Sequence, residues 1–99
     1  MSANRFRAVL ADDERLMREQ LRARLAEAWP ELEVVAEAKN GTEAVALVAE
    51  HRPDIVFLDI RMPGLTGVEA ARQIAQMETG ADDALPEIVF ITASTAYWS

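Results

Sequence analysis

The hydrophobic and polar positions of this chain follow two different periods, which together predict four strands and three helices. Short apolar runs bounded by acidic or turn residues are typical of strands. Longer stretches whose apolar positions recur every three or four residues are typical of amphipathic helices. The predicted strands cover 6–11, 32–38, 54–59 and 87–93, and the predicted helices cover 14–28, 40–51 and a third segment that begins near residue 66.

Local side-chain chemistry sets the predicted helix boundaries. Trp29-Pro30 ends the first helix, because the residue before a proline avoids helical geometry. Thr66 and Glu69 have the spacing of a capping box at the start of the third. The residues predicted to face the core are Met17, Leu21, Leu25 and Ala28 with Leu16 beside them in the first helix, and Val68, Ala71, Ile74 and Ala75 in the third.

The order of the elements predicts the fold class. Strand and helix alternate three times before a final strand, which favours right-handed crossovers and an α/β fold with a three-layer parallel sheet. The continuous apolar run in "DIVFLD" suits a strand covered on both faces. In such sheets, ligands bind at the carboxyl ends of the strands where the strand order reverses.

Composition narrows the class of protein. Ninety-nine residues, 51% hydrophobic and 27% charged, indicate one small globular domain. No apolar run approaches the roughly 20 residues of a membrane helix, and no signal peptide is evident, so we predict a cytoplasmic protein without a membrane partner. The chain has no cysteine and a single histidine, His51, which argues against thiolate metal sites, zinc sites and Ser-His-Asp triads. The net charge of −7 argues against direct nucleic-acid binding.

The acidic residues at the strand ends are the candidate chemistry. Asp12 and Asp13 follow the first strand, Asp59 ends the third, and Thr92 ends the fourth. If the first and third strands are neighbours, as in flavodoxin-like order, these side chains meet on one rim of the sheet. Clustered carboxylates repel each other, and Mg²⁺, with Mn²⁺ as a substitute, resolves that conflict. One carboxylate can then attack phosphorus and form an aspartyl phosphate.

Each of these residues alone has a plainer interpretation. Asp12 or Asp13 suits a helix N-cap, Asp59 suits a turn, and Thr92 suits an ordinary β-branched strand position. Only their conjunction on the predicted rim is specific to a metal-assisted phosphoryl site.

Four segments together resemble the receiver domain of bacterial two-component response regulators. They are "AVLADDE", "VVAEAKNGTEAV", "PDIVFLDIRMPGLTGVE" and "IVFITA". The likeness in residue type, order and spacing runs from about residue 6 to 93. It implies a CheY-like form of the flavodoxin-like fold and a function as a phosphoacceptor module.

The resemblance also implies a role for individual residues. Asp59 matches the phosphoacceptor, which takes a phosphoryl group from a sensor histidine kinase. Asp12 and Asp13 match the acidic pair that binds Mg²⁺ together with Asp59, and Asp13 is favoured over Asp12 as the direct ligand. Arg61 matches the position whose backbone carbonyl binds the metal. Thr92 matches the hydroxyl residue that bonds the phosphoryl group and moves inward as a switch.

The resemblance stops after the fourth strand, whereas a receiver domain has five strands and five helices. We therefore expect a truncated receiver domain at 1–93 and a tail unlike the family at 94–99. The family's phosphoryl-binding lysine has no counterpart, since the only lysine is Lys39, so we expect impaired phosphorylation. The segment "EIVFIT" would form an exposed sheet edge, which predicts a homo-oligomer joined through that edge.

Several other functions compete with this interpretation. A non-phosphorylatable interaction or assembly module with the receiver fold is the main alternative. A phosphatase of the haloacid dehalogenase type needs an acid two residues after the nucleophile, where this chain has Arg61. No Gly-x-Gly-x-x-Gly follows the first strand, which disfavours dinucleotide binding. We thus expect a signalling module and not an enzyme. "ADDERLMREQLRARL" and "FITA" are also similar to regulators with a LytTR-type DNA-binding domain.

Overall fold

Strands and helices alternate along the chain in the computed structural model, which describes residues 6–77 and 84–91. Each predicted element within those ranges is present, with boundaries close to the predicted ones. The strands are β1 (Phe6–Ala11), β2 (Leu32–Ala38), β3 (Ile55–Asp59) and β4 (Glu87–Ile91), and the helices are α1 (Arg15–Ala28), α2 (Gly41–His51) and α3 (Gly67–Ala75).

The four strands form one parallel sheet in the order β2-β1-β3-β4. The chain crosses to one side of β1 to form β2 and then returns to the other side to form β3. The strand order therefore reverses between β1 and β3, whose last paired residues are Ala11 and Leu58. This order confirms the predicted flavodoxin-like arrangement, and it places the ends of β1 and β3 where such sheets bind ligands.

Helices cover both faces of the sheet, which confirms the three-layer architecture. Because successive strand side chains point to opposite faces, alternate residues of β1 pack into two separate cores. Val9 and Ala11 pack with Val48 of α2 and Ile74 of α3. On the other face, the buried residues are Ala8, Leu10, Leu25 and Phe57.

Side-chain caps fix the starts of α2 and α3. The Asn40 side chain accepts a hydrogen bond from the Glu43 amide at 2.8 Å. At α3, the Glu69 amide donates to Thr66 Oγ1 at 3.2 Å and the Thr66 amide donates to Glu69 Oε1 at 3.1 Å. Both bonds of the predicted capping box are therefore present, and they fix where the chain enters α3.

The predicted core face of α3 holds only in part, because Ile74 is buried and Ala71 is half-buried as predicted, but the other two predicted positions are not. Val68 is 47% exposed and Ala75 is also exposed, whereas Gly67, Ala70 and Ile74 are buried. The physical reason is the close approach of α3 to β3. A side chain at Gly67 would collide with the backbone carbonyl of Asp59, so the residue without a side chain faces the sheet.

The predicted face of α1 holds only in part. Leu25 is buried, and Met17 and Leu21 are half-buried. Leu16 is 66% exposed, and Ala28 is exposed as well. These two positions lie outside the strip of α1 that contacts β1 and β2, because only one side of the helix faces the sheet.

β4 is an edge strand of the sheet that the described residues form, and it pairs only with β3. Its Ile88, Val89 and Phe90 are half-buried. The predicted strand residues 92–93 and the predicted tail 94–99 lie outside the described residues. Within the described ranges, no helix is long and apolar enough to cross a membrane.

Candidate functional site

Three carboxylates meet at the carboxyl ends of β1 and β3. Asp12, Asp13 and Asp59 each offer one oxygen, and these oxygens all lie within 4.8 Å of one another. Asp12 and Asp13 directly follow β1, and Asp59 is the last residue of β3. Because β1 and β3 are parallel neighbours, residues almost 50 positions apart reach the same point on the sheet rim.

Asp12 is held by the turn that follows β1. The residue is 3% exposed, and its Oδ1 accepts a hydrogen bond from the Glu14 amide at 2.9 Å. Its own amide donates to the Ala38 carbonyl of β2 at 3.0 Å. The N-cap of α1 is Glu14, with no side-chain capping bond. The alternative that Asp12 or Asp13 is a helix N-cap is therefore wrong.

Asp59 lies in an equally enclosed position. It is 3% exposed, and its Oδ1 accepts a hydrogen bond from the Arg61 amide at 3.2 Å. The Ile60 amide donates to the Ile91 carbonyl, and the Gly67 amide donates to the Ile60 carbonyl, both at 3.0 Å. These bonds fix the loop after β3, so the carboxylate stays on the rim.

The electrostatics of the cluster are unfavourable for two buried negative charges. The pKa of Asp12 is raised to about 6, chiefly by burial, with the Glu14 amide opposing the increase and the charges of Asp59 and Asp13 contributing to it. Burial also raises the pKa of Asp59, with the Arg61 amide opposing and the charge of Asp13 adding to the increase. A cation at this point would remove the repulsion that both carboxylates experience.

The predicted roles of two further site residues, Arg61 and Thr92, are not tested by the positions of the three carboxylates. The Arg61 side chain is exposed, and its amide is bonded to Asp59. The role of its carbonyl as a metal ligand stays a prediction. Thr92 lies outside the described residues, so its role as phosphoryl partner and switch also stays a prediction.

A shallow depression opens next to the carboxylates. It is lined by Asp13, by residues of the loop after β3 such as Ile60 and Met62, and by Val68 at the start of α3. Ile60 and Val68 are 36% and 47% exposed. A molecule that approaches Asp59 from this side therefore meets an apolar surface beside the charged cluster.

Sequence reasoning missed a group of residues behind the acidic pair. Arg18 of α1 donates from Nη1 to the Asp12 carbonyl at 2.6 Å and from Nε to Glu37 Oε1 at 3.0 Å. Arg22 donates from Nη1 to Glu37 Oε2 at 2.6 Å. The available signal was the position of Arg18, about one turn into the helix that follows Asp13, with Glu37 near the end of the adjacent strand.

Comparison with known proteins identifies the family. The family model of the response regulator receiver domain matches residues 8–97, so the chain belongs to that family. An uncharacterized response regulatory protein of Vibrio cholerae is 50% identical over 92 residues, which are 93% of this chain and 33% of that protein. The transcriptional regulatory protein LiaR of Bacillus subtilis is 38% identical over 88 residues, 89% of this chain and 39% of that protein. The chain thus spans about a third of the length of these curated relatives.

Solved structures agree with this assignment. A LuxR-family two-component response regulator from Aurantimonas has a TM-score of 0.75 and 40% identity, over 90% of this chain and 59% of that one. A CheX–CheY–BeF3–Mg²⁺ complex from Borrelia burgdorferi has a TM-score of 0.73 and 26% identity, over 89% of this chain and 62% of that one. The LuxR-family neighbour does not support the predicted LytTR-type origin.

Proposed function

We propose that this chain is the phosphoacceptor module of a two-component response regulator, in which Asp59 accepts a phosphoryl group from the phosphohistidine of a sensor histidine kinase. The observation that carries the proposal is the meeting of three carboxylates within 4.8 Å, two of them 3% exposed. A protein core does not retain such a cluster for stability, because buried charges without a counter-charge are costly. Clusters of this kind are typical of sites that bind cations and transfer charged groups.

We further propose Mg²⁺, with Mn²⁺ as a substitute, as the cation, held by Asp12, Asp13, Asp59 and the Arg61 carbonyl. The donor set fits, because Mg²⁺ prefers carboxylate and carbonyl oxygens and keeps several waters. Asp13 is exposed, so the site is open to solvent on one side, as those waters require. The Borrelia CheY structure, a neighbour in the same family, is a complex with Mg²⁺. When bound, the cation would neutralise the carboxylates and the negative charge of an incoming phosphoryl group.

Phosphoryl transfer to this site requires mainly that the nucleophile be held in the correct position. An Asp59 carboxylate oxygen attacks phosphorus, the bond between phosphorus and the imidazole nitrogen breaks, and that nitrogen leaves with the electron pair. The Arg61 amide, which donates to Asp59 Oδ1, fixes the orientation of the nucleophile. The Thr92 hydroxyl is proposed to bond a phosphoryl oxygen after transfer. Asp59 is thus modified, and the chain does not turn over a substrate.

Reaction with a small phosphodonor tests the proposal. Incubation with acetyl phosphate and Mg²⁺ is expected to add one phosphoryl group that is stable in acid and lost in base, as intact-mass measurement would detect. Asp59→Asn should abolish the gain. Asp54→Asn is the matched control, because Asp54 lies at the opposite end of β3 and is exposed. An equal gain in Asp59→Asn, or continued turnover of a phosphate ester, would contradict the proposal.

We propose association through β4 as a second candidate function, that of an assembly module with the receiver fold. The specific observation is the half-buried Ile88, Val89 and Phe90 on an edge strand of the described sheet. Edge strands with apolar side chains pair readily with a second chain. Light scattering over a range of concentrations is expected to show a dimer or larger species. A monomer at every concentration would contradict it.

A further inference from the structure

The guanidinium of Arg18 connects three parts of the molecule behind the acidic pair. Its side chain is 15% exposed and projects from α1. One nitrogen donates to the Asp12 carbonyl at 2.6 Å, and another donates to Glu37 of β2 at 3.0 Å. The short bond to the carbonyl is notable because that carbonyl belongs to the peptide group between Asp12 and Asp13.

We propose that Arg18 is a positioning residue for Asp13. The effect of Arg18 on metal binding rests on the proposed function, in which Asp13 is an Mg²⁺ ligand. The Asp12 amide is bonded to Ala38 of β2, and the Asp12 carbonyl is bonded to Arg18. The peptide groups on both sides of the Asp12 Cα are thus anchored, and the direction in which the chain leaves toward Asp13 is set.

Asp13 depends on this anchoring more than the other two carboxylates do. Asp12 and Asp59 each accept a hydrogen bond from a backbone amide. In residues 6–77 and 84–91, by contrast, no hydrogen bond or ion pair holds the Asp13 side chain. The exposed carboxylate is therefore placed beside Asp12 and Asp59 by its main chain, whose orientation Arg18 fixes.

Glu37 pairs with the Arg18 guanidinium, so that this positive charge does not compete with a metal ion for the three carboxylates. It accepts from Arg18 at one oxygen and from Arg22 at the other. A guanidinium near three carboxylates would otherwise pair with them, since planar bidentate pairing is its preferred interaction. Glu37 occupies Arg18 instead, which leaves the three carboxylates available to a metal ion.

Two substitutions separate positioning from simple electrostatics. Arg18→Met and Arg22→Met each remove one positive charge and one bond to Glu37, but only the first removes the bond to the Asp12 carbonyl. Electrostatics alone predicts tighter Mg²⁺ binding in both variants. Positioning predicts that Mg²⁺ binds about tenfold more weakly to Arg18→Met than to Arg22→Met, the usual effect of losing a group that orients a metal ligand.

Calorimetric Mg²⁺ titration of the wild-type protein and the variants measures this effect, with circular dichroism as the check on folding. Arg18→Lys keeps the charge and one donor, so we expect an affinity between those of wild type and Arg18→Met. This variant also decides the matter if Arg18→Met does not fold. The inference is overturned if Arg18→Met binds Mg²⁺ as tightly as Arg22→Met or more tightly. If only the lysine variant folds, the inference is overturned when Arg18→Lys binds Mg²⁺ as tightly as wild type.

A metal-free readout separates this inference from the proposed function. The nitrogen chemical shift of the Asp13 amide reports the bond to the Asp12 carbonyl, because both belong to one peptide group. Without Mg²⁺, this shift is expected to change in Arg18→Met and to stay unchanged in Arg22→Met. Equal shifts in the two variants would overturn the positioning role. A wild-type protein that binds no Mg²⁺ would contradict the proposed function alone.

Discussion

Substitution of Asp12 by asparagine is expected to make the metal-free protein more stable and to abolish its stabilisation by Mg²⁺. The pKa of Asp12 rises from its ordinary value of 3.8 to about 6 in the folded protein. That difference corresponds to about 3 kcal/mol of folding free energy lost when the buried carboxyl ionises. The amide of asparagine removes the charge and still offers an oxygen to the Glu14 amide, which lies 2.9 Å from Oδ1.

We therefore expect Asp12→Asn to raise the free energy of unfolding at pH 7 by about 1–3 kcal/mol in the absence of divalent cations. The upper value corresponds to full relief of the ionisation cost. The lower value allows for the burial of an amide NH₂ group, which needs its own acceptor. Urea unfolding followed by circular dichroism, with and without Mg²⁺, measures both effects.

The matched control is Asp54→Asn. Asp54 is exposed, and its Oδ2 accepts the Arg7 amide at 2.8 Å, so asparagine removes the same charge and keeps an acceptor. This variant should unfold like wild type and keep its response to Mg²⁺. The reasoning is refuted if Asp12→Asn is destabilised without metal, or if Mg²⁺ stabilises it as much as it stabilises wild type.

Two further predictions concern pH and the packing of α3. The folded protein keeps a proton on Asp12 up to about pH 6, whereas the unfolded chain releases it near pH 3.8. In the absence of metal, the free energy of unfolding should therefore fall as the pH rises from about 4 to about 6. Urea unfolding at constant ionic strength, on wild type and on Asp12→Asn, measures this change. If the free energy of unfolding of wild type rises relative to that of Asp12→Asn over this pH range, the prediction is wrong. Gly67→Ala should cost more stability than Gly64→Ala: a methyl group at Gly67 meets the Asp59 carbonyl, whereas Gly64 has open space and only its positive φ of 74° opposes the change. We expect about 1–2 kcal/mol at Gly64 and a larger loss at Gly67, measured by thermal unfolding; equal losses would show that the close approach of α3 to β3 is not limiting.

The sheet and the convergence of the acids were predictable from the sequence because they depend on the order of elements. Alternating strands and helices allow few parallel arrangements, and in the flavodoxin-like one the apolar runs before Asp12 and up to Asp59 are neighbouring strands. Side-chain caps were predictable for the same reason: Thr66 and Glu69 interact over three residues, so no tertiary information is needed.

The side of each helix that faces the sheet was harder to predict. The hydrophobic pattern is ambiguous where glycine and alanine form the contact with the sheet. In α3, Val68 has a stronger apolar signal than Gly67 or Ala70, yet the small residues face the sheet. The decisive fact is the distance between α3 and the Asp59 carbonyl, which no local pattern contains.

The support behind the carboxylates could not be predicted, because it joins residues of three elements. Arg18, Glu37 and the Asp12 carbonyl meet only after α1 has packed across β1 and β2. In the sequence, the two charged residues fit an ordinary solvated surface. The raised pKa of Asp12 is unpredictable for a similar reason, since it depends chiefly on burial.

The central claim is that Asp12, Asp13 and Asp59 hold one divalent cation. Carbon-13 spectroscopy of the side-chain carboxylates during an Mg²⁺ titration tests it most directly. We predict that the three signals shift together with a single midpoint, while the carboxylate of Asp54 at the other end of β3 stays unchanged. Three signals that move at different Mg²⁺ concentrations, or that do not move at all, would contradict a shared site.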